Sequence, residues 1–247
     1  VYALSPVRGS QTLTSPRGRK LGYLEVRNMI SHVSTPLQNS FAQFKADGVQ
    51  DIVLDLRYNG GGLVSTGATV ASYIAGSRAA GQTYATLLYN DKRAASNQSY
   101  LYPNPAPSAA ASVARVYLLM GRRTCSASEQ LINGLRGAGI EVVTIGEASC
   151  GKPVGSVPVS DSCGSTYSIV NFESVNARNE GRYFDGFQAT CLVAERFDLP
   201  IGSVFDPLLV AAAHHADNGA CPANTALREQ PQSRTFTPRA RYNGADG

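Results

Sequence analysis

Apolar residues alternate between two patterns over residues 21–145. Short, nearly continuous runs rich in Val, Ile and Leu are typical of buried strands, and apolar residues three or four positions apart are typical of helices. The regular alternation of the two predicts an α/β domain with a largely parallel sheet. The predicted strands cover residues 21–30, 51–58, 115–120 and 140–145, and the predicted helices cover residues 35–48, 66–74 and 126–135.

The second half of the chain and one internal stretch follow weaker patterns. Residues 76–112 are rich in Ala, Ser, Asn, Pro and Gly, which predicts a long surface excursion. Two neighbouring strand patterns, at residues 166–175 and 182–192, predict a β-hairpin added to the α/β core. A last helix is expected over residues 206–217, with Pro at its first position and Gly just after its end.

Both ends of the chain are polar, which sets the expected domain limits. Residues 1–20 are expected to be a lead-in rather than a domain, and residues 228–247 a loose tail. The folded core is therefore expected over residues 21–227. The first residues do not form a signal peptide, so a signal or lipid anchor would belong to a longer precursor.

Length and charge narrow the class of protein further. The chain has 247 residues, enough for one large domain with its own core. No apolar run approaches the roughly 18 residues that a membrane-spanning helix needs. The formal net charge is +4 and the basic residues are not clustered, which does not favour a nucleic-acid partner.

The five cysteines predict two disulfides and one free thiol. Cys150 with Cys163, and Cys191 with Cys221, flank short segments, which leaves Cys125 over. Such bridges indicate an oxidising compartment, although five reduced thiols in a cytosolic protein remain the alternative and the sequence does not fix the pairing. Without a C-x2-C pair near a histidine, the cysteines do not predict a metal site.

Three short segments, each just after a predicted buried strand, have the composition of a reactive site. DLRYNGGG, ending at Gly60–Gly62, exposes backbone N–H groups that can bind an oxyanion; a flexible turn is the alternative. TCSASE places Ser126 at the start of a helix, where the dipole favours negative charge; an N-cap completed by Glu129 is the alternative. In GEASCGKPVG, an apolar loop around Lys152 would keep its amine neutral as a base; a solvated lysine is the alternative.

Taken together and in this order, the three segments resemble the motifs of peptidase family S41, the carboxyl-terminal processing or tail-specific serine proteases. DLRYNGGG resembles the family's oxyanion loop, TCSASE its nucleophile motif and GEASCGKPVG its lysine motif. The strand GYLEVRN and the residues Asp185, Gly186, Phe187 and Cys191 also resemble the family's core. The resemblance extends over about residues 20–221, and three ordered motifs make it specific.

The resemblance implies a crotonase/ClpP-like α/β core and a role for each matched residue. Ser126 would be the nucleophile and Lys152 its base, and the N–H groups of Ala127 and Gly61 would form the oxyanion hole, with Gly60 as the less favoured donor. Many members have a Gln four residues after the lysine, where this chain has Ser156. The third catalytic member is therefore open, and the candidates for support are Glu129 and Ser156. No metal or cofactor is implied.

Two neighbouring residues compete with Ser126. Cys125 is intrinsically the stronger nucleophile but falls on the motif's variable position. Ser128 lies about 200° around the helix from Ser126, so the two serines cannot face the same substrate. The three histidines are too scattered for a Ser-His-Asp set.

The implied function is a serine endopeptidase that forms an acyl-enzyme and cleaves protein or peptide C-terminal regions. A non-catalytic peptide- or lipophile-binding module on the same fold is the main alternative, because fold does not prove activity. An acyl-CoA enzyme of the crotonase type shares the architecture but not the Ser–Lys motifs. The resemblance also implies a PDZ domain upstream of residues 1–20, and the cysteines favour a periplasmic or extracellular location.

Overall fold

The computed structural model of the chain describes residues 5–104 and 106–223, so the predicted tail at 228–247 lies outside the described residues. The strands are β1 (Val7–Thr14), β2 (Lys20–Val26), β3 (Asp51–Asp55), β4 (Thr83–Leu88), β5 (Gln98–Leu101), β6 (Arg115–Met120), β7 (Glu141–Gly146), β8 (Val154–Gly155), β9 (Val159–Ser160), β10 (Thr166–Tyr167), β11 (Phe172–Val175) and β12 (Cys191–Leu192). The helices are α1 (Ser34–Asp47), α2 (Val64–Ala75), α3 (Ala127–Gly137) and α4 (Pro207–Asn218). None of these helices is long and apolar enough to cross a membrane.

The main sheet confirms the predicted α/β class. Its six strands lie in the order β1-β2-β3-β6-β7-β12, and every neighbouring pair from β2 onward is parallel. Side chains alternate across the sheet, as strand geometry requires. Ile52 and Leu54 on β3 face a cluster that includes α1, α2 and α3, and Val53 faces a cluster that includes α4. The sheet is thus covered on both faces.

Local signals set the ends of the helices that cover the sheet. Gly48 ends α1 in the left-handed conformation with φ 71°, which glycine adopts at little cost. The same helix begins at Ser34, one residue before the predicted start at residue 35. At α4, the Asp206 side chain accepts a hydrogen bond from Leu208 N–H, and Pro207 occupies the first helical position, as predicted.

Two expectations for the second half of the core are corrected. Residues 76–112 are not only a surface excursion, because β4 and β5 lie within them and pair with each other. The hairpin expected over residues 166–192 is wrong. β11 pairs with β4 and β8 to complete a second, four-stranded sheet, whereas β12 joins the main sheet parallel to β7. The two strands of the expected hairpin therefore belong to different sheets, because each finds its partner in a distant part of the chain.

The N-terminal segment is more than the expected lead-in. Val7–Thr14 form β1, which pairs antiparallel with β2 at the edge of the main sheet. Ser15, just after this strand, donates a hydrogen bond to Asp217 at the end of α4 at 2.6 Å. This segment is thereby tied to the far end of the described chain.

Candidate active site

The three motif segments lie side by side at one edge of the main sheet. β3, β6 and β7 are adjacent and parallel, so their carboxyl ends meet at the same edge. The glycine loop (residues 56–63) follows β3, the nucleophile loop (residues 121–126) follows β6 and the lysine loop (residues 147–153) follows β7. This neighbourhood follows directly from the strand alternation of the sequence.

Ser126 occupies a strained turn between β6 and α3. Its backbone has φ 57° and ψ −118°, a region that non-glycine residues rarely adopt. Its own N–H donates to the Glu129 carboxylate at 3.0 Å, as in a capping box, so the N-cap role is real. The next N–H, that of Ala127, has no partner among the described residues. Ser126 thus stands beside a free donor at the positive end of a helix.

Neither rival of Ser126 presents a nucleophile in this structure. Cys125 is bonded to Cys150, with Cα atoms 5.2 Å apart, and so has no thiol. Ser128 is fully buried and its Oγ donates to the carbonyl of Asn59 at 3.0 Å. Ser128 therefore fastens the first turn of α3 to the glycine loop.

Gly61 makes the closest approach between the glycine loop and the nucleophile. Its φ is +102°, and a Cβ atom there would lie 2.8 Å from Ser126 Cβ and 2.9 Å from Ala127 N. Its N–H, however, donates to Asn59 Oδ1 at 2.9 Å. Gly60 lines the cavity beside Ser126, and its N–H has no partner among the described residues. In this conformation Gly60 is the freer donor, although the sequence motif favours Gly61.

Glu129 connects the nucleophile loop to the lysine loop. Its carboxylate is fully buried and accepts hydrogen bonds from the backbone N–H groups of Gly151 at 2.7 Å and Lys152 at 2.8 Å, in addition to Ser126. Ser149 Oγ donates to the same carboxylate at 2.6 Å. Sequence motifs indicated a helix-start role for Glu129, but the second set of contacts depends on the tertiary arrangement.

Lys152 is exposed, so the predicted burial of its side chain among apolar neighbours is wrong for the free protein. Of those neighbours, Pro153 is buried and Val154 is half-buried, yet both leave the lysine side chain open to solvent. Both Ser126 and Lys152 are described, and no hydrogen bond joins Ser126 Oγ to Lys152 Nζ. Catalytic hydrogen bonds are often long before substrate binds.

Ser126 and Lys152 nevertheless line one cavity of about 400 Å³. Its apolar lining comes from the glycine loop, through Leu63, and from the four-stranded sheet, through Leu87, Tyr100, Val154 and Phe172. The candidate support residue Ser156 lines it too, as do Gln130 and Tyr183, whose Oε1 and Oη atoms are buried without a hydrogen-bond partner in the part of the chain that the structure describes. Burial, with the nearby Glu129 charge, raises the pKa of Tyr183, which keeps its hydroxyl protonated. The cavity suits an extended, mainly apolar ligand with polar groups at defined points.

A buried ionic cluster at the start of the glycine loop was not foreseen from the sequence. Arg57 is 4% exposed and contacts Asp55 and Asp206, each at 2.6 Å, and Glu195 at 3.2 Å. Burial lowers the pKa of the guanidinium, but the carboxylates outweigh it, so the pKa is raised overall. Tyr58 donates to Glu195 at 2.6 Å, and burial with this bond raises the pKa of Tyr58 to about 12. The cluster fixes the glycine loop to α4.

The disulfides agree with the sequence in one case and not in the other. Cys191 and Cys221 are bonded, with Cα atoms 5.5 Å apart, which confirms that pair. The predicted Cys150–Cys163 pair is wrong, since Cys150 is bonded to Cys125 and Cys163 is an exposed free thiol. The change moves one disulfide from a surface loop to the candidate site.

A serine on a strained strand-to-helix turn, next to backbone donors, is typical of serine hydrolases. A family model for peptidase family S41 matches residues 20–184, and the chain belongs to this family. Two curated relatives are similar over part of their length. A carboxyl-terminal-processing protease of Picosynechococcus sp. is 27% identical over 174 residues, which are 70% of this chain and 39% of the relative. The chloroplastic C-terminal processing peptidase of Tetradesmus obliquus is 27% identical over 63% of this chain and 32% of its own.

Solved structures show the same fold. A protein of Bacteroides fragilis assigned to the S41 proteases has a TM-score of 0.78 and 27% identity, and covers 87% of this chain and 59% of its own. The photosystem II D1 C-terminal processing protease has a TM-score of 0.63 and 22% identity, covering 78% of this chain and 49% of its own. The chain thus spans only part of the length of these relatives.

Proposed function

We propose that the chain forms the catalytic core of a serine endopeptidase that cleaves C-terminal regions of proteins or peptides through a Ser126–Lys152 dyad. The observation that carries the proposal is that both residues line one cavity, with Ser126 on a strained turn beside the free Ala127 N–H. The membership of family S41 supports the same chemistry.

In the proposed reaction, neutral Lys152 takes the proton of Ser126 as its Oγ attacks the scissile carbonyl. The Ala127 N–H and a glycine N–H hold the oxyanion, each contributing about 3–4 kcal/mol. We favour Gly60 as that glycine, because the Gly61 N–H is already donated to Asn59. Glu129 positions both loops through its backbone contacts, and Ser156 is a candidate to orient the lysine from the same cavity.

The exposure of Lys152 gives the bound peptide a part in the mechanism. A protonated ammonium cannot accept the serine proton, so the base must be neutral when the reaction begins. A peptide lying in the apolar cavity would cover the lysine and exclude water from the two reacting groups.

A fluorophosphonate probe, followed by intact-protein mass spectrometry, tests the proposal. The parent should take one label on Ser126, and Ser126→Ala should take none. Ser128→Ala is the matched control, since its buried hydroxyl is engaged with Asn59, and it should still be labelled. Lys152→Arg should slow labelling and peptide cleavage by about 10²–10⁴-fold, because a guanidinium stays protonated. Labelling of Lys152→Arg at the parental rate would refute the dyad.

The binding-module alternative has its own support in the exposed Lys152 and the absence of a bond to Ser126. If it is correct, the parent takes no label at any pH, yet peptides bind to the cavity and are recovered uncleaved. The same experiment therefore separates the two functions.

The two disulfides support a periplasmic or extracellular location, where such bonds persist. Mass spectrometry of unreduced peptides from protein isolated from its native compartment tests this, and five free thiols would contradict it. The upstream PDZ domain stays a prediction from the family resemblance.

A further inference from the structure

The Cys125–Cys150 disulfide joins the two loops on which the proposed chemistry depends. Cys125 directly precedes Ser126, and Cys150 stands two residues before Lys152. The bond thus links the loop that carries the nucleophile covalently to the loop that carries the base. The inference drawn from this link rests on the function proposed above.

The disulfide lies against the carboxylate that serves the same two loops. The sulfurs of Cys125 and Cys150 and a carboxylate oxygen of Glu129 are all within 4.8 Å of one another. Such a trio resembles a metal site by composition. Here the sulfurs are bonded to each other and the carboxylate accepts backbone N–H groups from both loops, so the cluster acts as a clamp.

The described non-covalent contacts between the two loops centre on Glu129. Besides its hydrogen bonds there are one backbone hydrogen bond, from Cys150 N–H to the carbonyl of Thr124 at 3.0 Å, and an exposed ion pair between Arg122 and Glu147 at 3.6 Å. Ser126 is in a strained conformation that its surroundings must maintain. The Lys152 side chain is exposed, and its backbone is held by the hydrogen bond from its N–H to Glu129. Loss of the covalent link should therefore change the relative position of the two residues more than it changes the fold.

We propose that Cys125 and Cys150 are positioning residues of the peptidase, and that reduction of their disulfide by a dithiol slows acylation of Ser126. A thiolate of the dithiol attacks the sulfur of the exposed Cys150, and Cys125 leaves as a thiolate that takes up a proton. The second thiol of the reagent then resolves the mixed disulfide. Two protein thiols form, and the reagent becomes a disulfide.

The Cys191–Cys221 disulfide is a matched control. Its sequence separation of 30 residues is close to the 25 of Cys125–Cys150, so the chain-entropy contributions of the two bonds are similar. Cys191 is 1% exposed on β12, where it pairs with Ile145 on β7, and neither cysteine of this bond belongs to a loop of the site. If the disulfides act only through stability, breaking either bond should lower activity. If Cys125–Cys150 positions the site, only the loss of that bond should lower it.

The test uses the whole chain with Cys163→Ser, which removes the free thiol that could exchange with either bond. Peptide turnover and fluorophosphonate labelling of Ser126 are measured before and after treatment with dithiothreitol, and again after reoxidation. We expect kcat and the labelling rate to fall about 100-fold on reduction, the loss that an ångström-scale misplacement causes, with little change in KM. Both should return on reoxidation, with the melting temperature recorded in each state.

Variants separate the possible outcomes. The double variant Cys125→Ser/Cys150→Ser should be slow from the start and indifferent to dithiothreitol, and Cys191→Ser/Cys221→Ser should keep the parental rate and its response to reductant. Reduced protein that turns over at the oxidised rate overturns the inference, as does an equal loss of kcat and melting temperature in both double variants. If the first double variant does not fold, the reversible reduction of the parent decides alone. An oxidised parent that takes no label at Ser126 refutes the proposed function itself.

Discussion

Replacing Gly61 by alanine tests how closely the glycine loop is fitted to the nucleophile. The new Cβ would lie 2.8 Å from the carbonyl oxygen of Cys125, 2.8 Å from Ser126 Cβ and 2.9 Å from Ala127 N. Two of these atoms belong to backbone, so a side-chain rotation cannot relieve the contacts. One of the two loops must move, and the nucleophile moves with it.

Both stability and activity should respond to Gly61→Ala. A non-glycine residue at φ +102° costs about 1–3 kcal/mol in backbone strain. For a chain of this size that corresponds to a decrease of about 2–12 °C in melting temperature. A shift of Ser126 by up to about 1 Å should lower kcat about 100-fold. Gly61 is therefore needed for the position of the serine.

The neighbouring substitution Gly60→Ala is the matched control. A Cβ atom on Gly60 meets nothing within 4 Å, and its φ lies outside the left-handed region. Because the added Cβ meets no neighbour, Gly60→Ala should leave the melting temperature unchanged, and it serves as the control for stability alone. Thermal melts and fluorophosphonate labelling of both variants decide the matter. A Gly61→Ala protein with the melting temperature and labelling rate of the parent would refute the reasoning.

Two further predictions concern groups away from the dyad. Arg57→Leu leaves Asp55 and Asp206 buried without a cation, so it should lower the free energy of unfolding by about 3–5 kcal/mol. Urea unfolding measures this loss, and a loss below about 1 kcal/mol would mean that the cluster is solvated. Burial lowers the pKa of His215 in the folded chain, so the unfolded chain binds more protons than the folded chain as pH falls below about 6.5. Stability should therefore fall between about pH 6.5 and pH 5, and His215→Leu should reduce that loss; equal pH slopes would contradict it.

Much of the site could be predicted because it depends on patterns that are local in the sequence. The apolar runs at β3, β6 and β7 are nearly continuous, which identifies buried parallel strands, and parallel strands bring their carboxyl ends together. The glycine loop, Ser126 and Lys152 follow these three strands directly. Their neighbourhood therefore needs no knowledge of distant contacts.

The features that were missed depend on contacts between distant parts of the chain. β11 is only four residues long and pairs with β4, which lies in a stretch whose composition resembles a loop. Arg57 lies in the DLRYNGGG motif, but its partners Glu195 and Asp206 follow it by more than a hundred residues. Lys152 is exposed whereas the adjacent Pro153 is buried, so apolar neighbours in the sequence do not by themselves decide the burial of a side chain.

The predicted Cys150–Cys163 pair was wrong because it rested on the short sequence distance between the two cysteines. The adjacency of the predicted strands gives the correct pair, Cys125–Cys150. Pairing Cys150 with Cys163 closes a shorter loop than pairing it with Cys125, but the difference in loop-closure free energy is only about 0.6 kcal/mol. Geometry in the folded chain decides instead. Cys125 adjoins Ser126, and Cys150 nearly adjoins Lys152. Because β6 and β7 are adjacent and parallel, the loops after them bring these two cysteines together along with the serine and the lysine. The disulfide and the proposed dyad thus both follow from the adjacency of β6 and β7. Reduction of the bond therefore acts on the same two loops that carry the serine and the lysine.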